Sequence, residues 1–232
     1  MSLYGIVPGV VQALAWIPGR ILIYFFTHFT VYGRENIRGV EKPTIFVSNH
    51  PNQFDPVFIR GAFPMVSRHN PLLWISRSQS VYQWKGWRKY VLSEPFFRFW
   101  GAPVAPGGLQ NYSKTLSDHV LLLKRGYTFC VFPQAGDDKF DGKSAKARGG
   151  IGYLIAAVRP TVVPVYVKNS AGMSPGRFFS RKHRVSVHFG KPRPARYFLT
   201  GMPNTLGVKE YREVSERLVK AIYALESPNE IQ

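Results

Sequence analysis

Six short apolar runs, each long enough for a β-strand, occur along the chain between residues 29 and 189. They are rich in β-branched and aromatic residues and are bounded by Gly, Pro, Asn or Asp, which is typical of buried strands. The predicted strands cover residues 29–32, 44–48, 72–76, 127–132, 161–167 and 184–189.

Helical patterns alternate with these apolar runs. The predicted helices cover residues 56–62, a pair within 80–100, 113–124, 150–158 and 208–225. The last pattern has one apolar face at helical spacing, formed by Tyr211, Val214, Leu218, Ile222 and Leu225. Strands that alternate with helices predict an α/β fold, with a mostly parallel central sheet flanked by helices.

The N-terminal segment, residues 3–29, is almost wholly apolar but is interrupted by Pro8-Gly9 and Pro18-Gly19. A membrane-spanning helix needs about 20 continuous apolar residues, and the interruptions leave shorter pieces. A secretory signal begins with basic residues, whereas the first four residues here carry no charge. We therefore predict an apolar two-helix membrane-binding hairpin, with packing on the domain's own core or a single kinked span as alternatives.

Composition adds a strong positive charge to this picture. The net charge is +18, and residues 143–209 contain thirteen Lys and Arg but no Asp or Glu. Such a charge calls for an acidic partner: a nucleic acid, an anionic lipid surface or an acidic carrier. A nucleic-acid partner is not predicted, because no recognised binding motif accompanies the charge and the apolar N-terminus would be unexplained.

The candidate chemistry lies in the loop that follows the predicted strand 44–48. Asp55 and Pro56 are a typical helix start, with Asp as N-cap and Pro at the first helical position. His50 and Asp55 then lie at opposite ends of one loop at the carboxyl end of a strand. Asp55 can hold one ring nitrogen of His50 and leave the other as a general base. The alternative is that Asp55 only caps its helix and His50 is an ordinary loop residue.

No metal site is predicted at this loop. His50 and Asp55 supply only two ligands, and no further His or Cys cluster stands near them in the sequence. A protein-bound zinc ion needs three or four such ligands.

The loop at residues 48–55 resembles the N-H-x4-D block of the glycerolipid acyltransferases, the family of 1-acylglycerol-3-phosphate acyltransferase. Residues 101–104, 131–133, 162–165 and 190–192 stand where that family has its later blocks, so the resemblance runs from about residue 30 to 225. It implies a membrane-interface hairpin over residues 1–29 and an acyltransferase catalytic domain over residues 30–232.

The resemblance further implies transfer of a fatty acyl group to the hydroxyl of a lysophospholipid, similar to lysophosphatidic acid. Acyl-CoA or acyl-carrier protein would be the co-substrate, with no cofactor. His50 would remove the hydroxyl proton, and Asp55 would orient the imidazole. The expected location is the cytoplasmic face of an anionic membrane, with interfacial or monotopic attachment.

The expected substrate-binding residues are Asn49, Gly101, Val104, Pro133, Gln134, Asp137, Lys146 and Arg148. Some of them depart from the family pattern. The family's second and third blocks carry arginines for the acceptor phosphate, whereas here the second block has no Arg and Asp137 occupies the Arg position of the third. Either one of the basic residues that follow, Lys139, Lys143, Lys146 or Arg148, takes over phosphate binding, or the acceptor is a lyso-lipid without phosphate. A catalytically inactive membrane module with the same fold is a further alternative.

Overall fold

The structure is a computed structural model that describes residues 3–77, 93–106, 111–134 and 147–226. Its strands are β1 Thr30–Tyr32, β2 Thr44–Ser48, β3 Leu72–Trp74, β4 Ser76–Arg77, β5 Val104–Ala105, β6 Thr128–Val131, β7 Thr161–Lys168, β8 Ser186–Phe189 and β9 Arg193–Pro194. Its helices are α1 Leu3–Phe26, α2 Asp55–Ala62, α3 Glu94–Phe99, α4 Tyr112–Thr115, α5 Ser117–Lys124, α6 Gly149–Val158, α7 Pro175–Phe179, α8 Ala195–Leu199 and α9 Val208–Tyr223.

The main sheet has the strand order β1-β8-β7-β2-β6-β3, with β9 paired to β7. β7, β2, β6 and β3 run parallel, and β8 and β9 run antiparallel to β7. The four parallel strands therefore end at one edge of the sheet, which we call the carboxyl edge, and begin at the opposite amino edge. The predicted α/β fold with a mostly parallel sheet is confirmed.

Two apolar layers cover the two faces of this sheet. Alternation along β2 sends Phe46 to one layer and Ile45 and Val47 to the other. The first layer includes residues of α1 and α2, and the second includes residues of α5, α6 and α9. Because β2 is buried on both faces, its sequence is apolar throughout rather than alternating.

Apart from α1, the helices agree with the predictions with two differences. The segment 113–124 forms two helices, α4 and α5, separated at Leu116, whose φ of −114° and ψ of 15° leave the helical region. The short helices α7 and α8 were not predicted, because each spans only five residues and carries no repeated apolar face. Of the helix pair predicted within residues 80–100, α3 is seen and residues 78–92 lie outside the described part of the chain.

The prediction of an N-terminal hairpin is wrong, since α1 is one helix of 24 residues that passes through Pro8 and Pro18. Proline weakens a helix by removing one hydrogen bond, but contacts on both sides of Pro18 hold α1 to the same surface. Trp16 Nε1 donates to the Phe63 carbonyl at 3.0 Å, and Arg20 donates to the Gly61 carbonyl at 2.6 Å. These tertiary contacts keep both halves of α1 in line.

Gln12 attaches α1 to the free edge of the sheet at β3. Its side-chain amide donates to the Leu72 carbonyl at 2.8 Å and accepts from the Leu72 N–H at 3.0 Å. The Gln12 amide thus takes the place of a neighbouring strand and satisfies the buried N–H and C=O of Leu72 at the edge strand β3. The domain division at residue 29 stays a prediction, although α1 packs on α2 and α3.

The opposite side of α1 forms an exposed apolar stripe. We call it the outer stripe; its members are Val10, Leu14, Ile17, Ile21 and Phe25, all more than half exposed. Within the described residues, Gly5–Phe26 is the one helical segment with the length and composition to cross a bilayer, at a mean hydropathy of 1.6. A soluble core helix would instead bury such residues.

Candidate active site

The loop from β2 to α2 is attached to the neighbouring strand by Asn49. Its side-chain amide donates to the Val167 carbonyl at 2.9 Å and accepts from the Val167 N–H at 2.7 Å. Through these two hydrogen bonds the buried Asn49 side chain continues the β2–β7 pairing beyond the end of β2. The next residue, His50, is held in place at the carboxyl edge, where ligands bind in open α/β sheets.

The His50–Asp55 pair is formed. His50 Nδ1 lies 3.0 Å from Asp55 Oδ2. The Asp55 side chain is fully buried, whereas the His50 side chain is 27% exposed. With a proton on Nδ1 directed to the carboxylate, the lone pair of the neutral ring lies on Nε2. In the described part of the chain no residue hydrogen-bonds to Nε2, so the geometry provides a base that faces outward.

The carboxylate of Asp55 accepts two further hydrogen bonds. Asn52 N–H donates to Oδ2 at 2.7 Å, and Ser170 Oγ donates to Oδ1 at 2.6 Å. A buried carboxylate requires such donors to offset its lost hydration. The predicted N-cap role of Asp55 is wrong: Phe54 is the cap residue, and Asp55 is the first residue of α2. Both of its oxygens are directed to the loop and to Ser170, which leaves none for the helix terminus.

Phe132 supports the face of the His50 ring. The two ring centroids are 4.1 Å apart with an interplanar angle of 16°. Phe132 directly follows β6, the neighbour of β2, so this contact follows from the strand order. The stacking and the Asp55 hydrogen bond together restrict rotation of the imidazole.

The two residues after Phe132, Pro133 and Gln134, contact different helices at the carboxyl edge. The Pro133 carbonyl accepts from the Arg148 N–H at 3.1 Å, so Arg148, which is exposed, stands next to this loop at the start of α6. Gln134 is buried and accepts from the Tyr223 hydroxyl at 3.1 Å. That hydrogen bond ties Gln134 to the end of α9.

Gly101 and Val104 lie beyond the end of β3, two strands away from His50. The Gly101 carbonyl accepts from the Trp74 N–H at 2.9 Å, and Gly101 has a φ of +85° that favours glycine. Val104 belongs to β5, which pairs with β4 just beyond β3. Both residues are therefore at the carboxyl edge, separated from the His50 loop by β6. Asp137 and Lys146 lie outside the described residues.

Ser170 and Phe132 are the site residues that sequence reasoning missed. Phe132 was the last residue of a predicted strand, and Ser170 lay outside the predicted strands and helices. Their relation to His50 and Asp55 requires that β7 and β6 flank β2. The signal available was their position just after strands that end at the same edge.

Cys130 lies in the core next to this site. It is completely buried, and burial together with the nearby Asp55 charge raises the pKa of its thiol above the usual range. The thiol therefore stays protonated and inert. Across the residues that the structure describes, no three His, Cys, Asp or Glu side chains come together as metal ligands.

Comparison with known proteins is consistent with this geometry. Residues 28–168 match the family described as Acyltransferase. A solved structure, the 1-acyl-sn-glycerophosphate (LPA) acyltransferase PlsC from Thermotoga maritima, has a similar fold with a TM-score of 0.59 and 20% identity. The similarity covers 90% of this chain and 76% of that one. A search of curated proteins finds no significant match. The family match includes His50, Asp55 and more than half of the chain, which therefore belongs to the acyltransferase family and is an acyltransferase.

Proposed function

We propose that this acyltransferase moves a fatty acyl group from acyl-CoA or acyl-carrier protein to the hydroxyl of a lysophospholipid similar to lysophosphatidic acid. His50 is the general base, and Asp55 orients it. The observation that carries the proposal is the 3.0 Å contact between His50 Nδ1 and the buried Asp55 carboxylate, which leaves Nε2 for the acceptor.

The reaction follows from this arrangement. Nε2 of His50 takes the proton of the acceptor hydroxyl while its oxygen attacks the thioester carbonyl. The resulting imidazolium is stabilised by Asp55, whose carboxylate is itself held by Ser170 and the Asn52 N–H. The tetrahedral intermediate then expels the thiolate, which takes the proton from His50, so that an ester and a free thiol are released. General-base assistance of this kind contributes about 10²–10⁴-fold, and positioning of the two substrates adds to it.

Attachment to a membrane surface is supported by the outer stripe of α1. Leu14 and Ile21 are 73% and 63% exposed, which is unfavourable in water but favourable in the interfacial layer of a bilayer. The stripe continues towards the active-site loop through stacked and edge-to-face rings. Phe26 contacts Phe178 and Phe179 of α7, and Phe178 stacks on Phe54, which directly precedes Asp55.

Basic residues accompany this apolar surface. The Arg181 guanidinium lies 4.2 Å from the Phe25 ring centroid, and residues 177–196 contain seven Lys and Arg and no acid. A basic border attracts an anionic bilayer. We therefore propose an interfacial location on the cytoplasmic face, where the lyso-lipid acceptor reaches His50 from the bilayer and the thioester arrives from the aqueous side.

An acceptor with a phosphate group is favoured by Arg148. Its backbone N–H donates a hydrogen bond to the carbonyl of Pro133, the residue after Phe132, whose ring stacks on His50. Arg148 is exposed, so its guanidinium lies at the same edge of the sheet as His50. Guanidinium groups bind phosphate through paired hydrogen bonds. The formed His50–Asp55 pair likewise favours an active enzyme over an inactive module.

The catalytic assignment is tested with His50→Ala and, as a matched control, the exposed His28→Ala. With a labelled acyl-CoA and lysophosphatidic acid, His50→Ala should lower kcat by about 10³-fold, while His28→Ala keeps wild-type activity. Both variants should retain vesicle binding and thermal stability. Wild-type turnover by a folded His50→Ala protein would disprove the assignment.

The acceptor class is tested by comparing lysophosphatidic acid with monoacylglycerol, which lacks the phosphate. Arg148→Gln should raise KM for lysophosphatidic acid by about tenfold, the loss expected for a charge-assisted hydrogen bond. The same variant should leave monoacylglycerol acylation unchanged. A wild-type preference for monoacylglycerol would overturn the phosphate-bearing acceptor and favour a lyso-lipid without phosphate.

A further inference from the structure

A cleft of about 500 Å³ opens at the amino edge of the sheet, on the side opposite His50. It is lined by Gly5, Lys42, Asn70, Pro71, Arg125, Gly126 and Tyr127. Lys42, Pro71 and Tyr127 lie just before β2, β3 and β6, and His50 follows the other end of β2. A five-residue strand spans roughly 16 Å, so this cleft is distinct from the candidate active site.

The wall of the cleft is positively charged. Lys42 and Arg125 line it, and Arg68 is close enough to Lys42 to repel it electrostatically. Burial, followed by the Arg68 charge, lowers the pKa of the Lys42 ammonium group. Within the described ranges none of these three cations forms an ion pair with Asp or Glu.

Arg60 adds to the positive potential behind the cleft. Its side chain is 8% exposed, and its Nη2 lies 3.4 Å from the side-chain oxygen of Asn70, a lining residue. Burial lowers the pKa of the Arg60 guanidinium to about 10. Its buried Nε has no hydrogen-bond partner among the described residues. A protein that keeps several cations close together without ion-pair partners gains stability when an anion binds between them.

The first turn of α1 forms one side of the cleft. Gly5 lies so close to Tyr127 that a side chain at this position would collide with the Tyr127 hydroxyl. Asn70 donates to the Gly9 carbonyl at 3.2 Å and closes the adjoining side. The first turn of a helix carries partial positive charge, which also favours an anion.

We infer that this cleft binds the phosphate group of an anionic phospholipid headgroup. The inference rests on the proposed membrane association, because the cleft adjoins the beginning of α1 and the outer stripe starts at Val10, the residue after Gly9. The anionic headgroup would lie in the positively charged cleft, and the acyl chains of the same lipid would lie along the neighbouring apolar outer stripe. The cleft thereby anchors the amino edge while the carboxyl edge presents His50.

The inference is tested by flotation of the full-length protein with phosphatidylcholine vesicles, prepared with and without phosphatidic acid. The cleft variant is Lys42→Gln/Arg68→Gln/Arg125→Gln. The control variant is Lys209→Gln/Arg212→Gln/Lys220→Gln, which removes the same charge from exposed positions of α9, on the other face of the sheet.

The wild type should bind phosphatidic acid vesicles roughly 100-fold more tightly than the cleft variant, at about fivefold per basic residue. The control variant should lose less than about threefold, because its charges lie further from the bilayer than a Debye length. Binding to pure phosphatidylcholine, which depends on the outer stripe, should be equal in all three proteins.

An equal loss in the cleft and control variants would overturn the inference, since net charge alone would then explain lipid preference. Saturable binding of glycerol 3-phosphate that the cleft variant loses, without any change in vesicle preference, would also overturn it in favour of a soluble phosphate. If the wild type binds neither vesicle, the membrane association itself falls. If the wild type binds both kinds of vesicle equally tightly, the membrane association stands and only the inference about the cleft is wrong.

Discussion

Ser170→Ala is expected to slow the acyl transfer without weakening substrate binding. The Ser170 hydroxyl donates to Asp55 Oδ1 at 2.6 Å, and both side chains are completely buried. The substitution leaves the carboxylate with the Asn52 N–H and the His50 ring as donors. Asp55 Oδ1 then loses its partner and is free to turn away from the orientation that serves His50.

The magnitude follows from the kind of hydrogen bond that is removed. A hydrogen bond to a charged group contributes about 1.5–3 kcal/mol, and no water from solvent reaches a fully buried oxygen to replace it. If that energy is lost from the arrangement that stabilises the imidazolium, kcat falls by roughly 10–100-fold. KM for both substrates should stay within about twofold, because Ser170 acts through Asp55.

A double-mutant cycle with Asp55→Asn separates this positioning role from a general loss of stability. We expect Ser170→Ala to have no further effect on kcat once Asp55→Asn is present, since the two residues act as a unit. Ser174→Ala is the matched control, because Ser174 caps α7 four residues away and does not contact Asp55. Additive effects of Ser170→Ala and Asp55→Asn on kcat, or a wild-type kcat in Ser170→Ala, would refute the reasoning.

Three further predictions concern attachment, pH and packing. Replacing Leu14 and Ile21 by serine removes about 3 kcal/mol of apolar transfer energy and should weaken vesicle binding roughly 100-fold; unchanged flotation would exclude the outer stripe as the anchor. Burial lowers the pKa of His69 from 6.5 to about 4, so the unfolded chain binds the proton first as pH falls. Urea unfolding should therefore show stability decreasing between pH 6.5 and about 4, by at most about 3 kcal/mol, and a flat profile would contradict a buried neutral ring. Gly152→Ala places a methyl group against the Tyr211 carbonyl of α9 and should lower the free energy of unfolding by about 1–3 kcal/mol. The control Gly150→Ala makes only an ordinary van der Waals contact and should leave stability unchanged. Equal melting temperatures of the two variants would disprove the clash.

The amino-acid sequence predicted the parts of this protein that depend on neighbouring residues. β2 is an uninterrupted apolar run, α9 repeats its apolar positions at helical spacing, and both were located within a few residues of their observed bounds. The His50–Asp55 pair was predicted because one short loop allows the two side chains to meet, and because that loop resembles the N-H-x4-D block of the glycerolipid acyltransferases. In each case the determining interactions are local.

Tertiary structure decided what depends on distant segments. Ser170 and Phe132 joined the site, and Asn49 met its partner Val167, because β7 and β6 flank β2. That strand order is set by packing two apolar layers on one sheet. α1 continues through Pro18 because contacts to the domain on both sides outweigh the local cost of proline. The cationic cleft at the amino edge likewise gathers residues that are far apart in the chain. Local propensity selects helix or strand, but only long-range burial decides which loops meet, because its free energy depends on the whole chain.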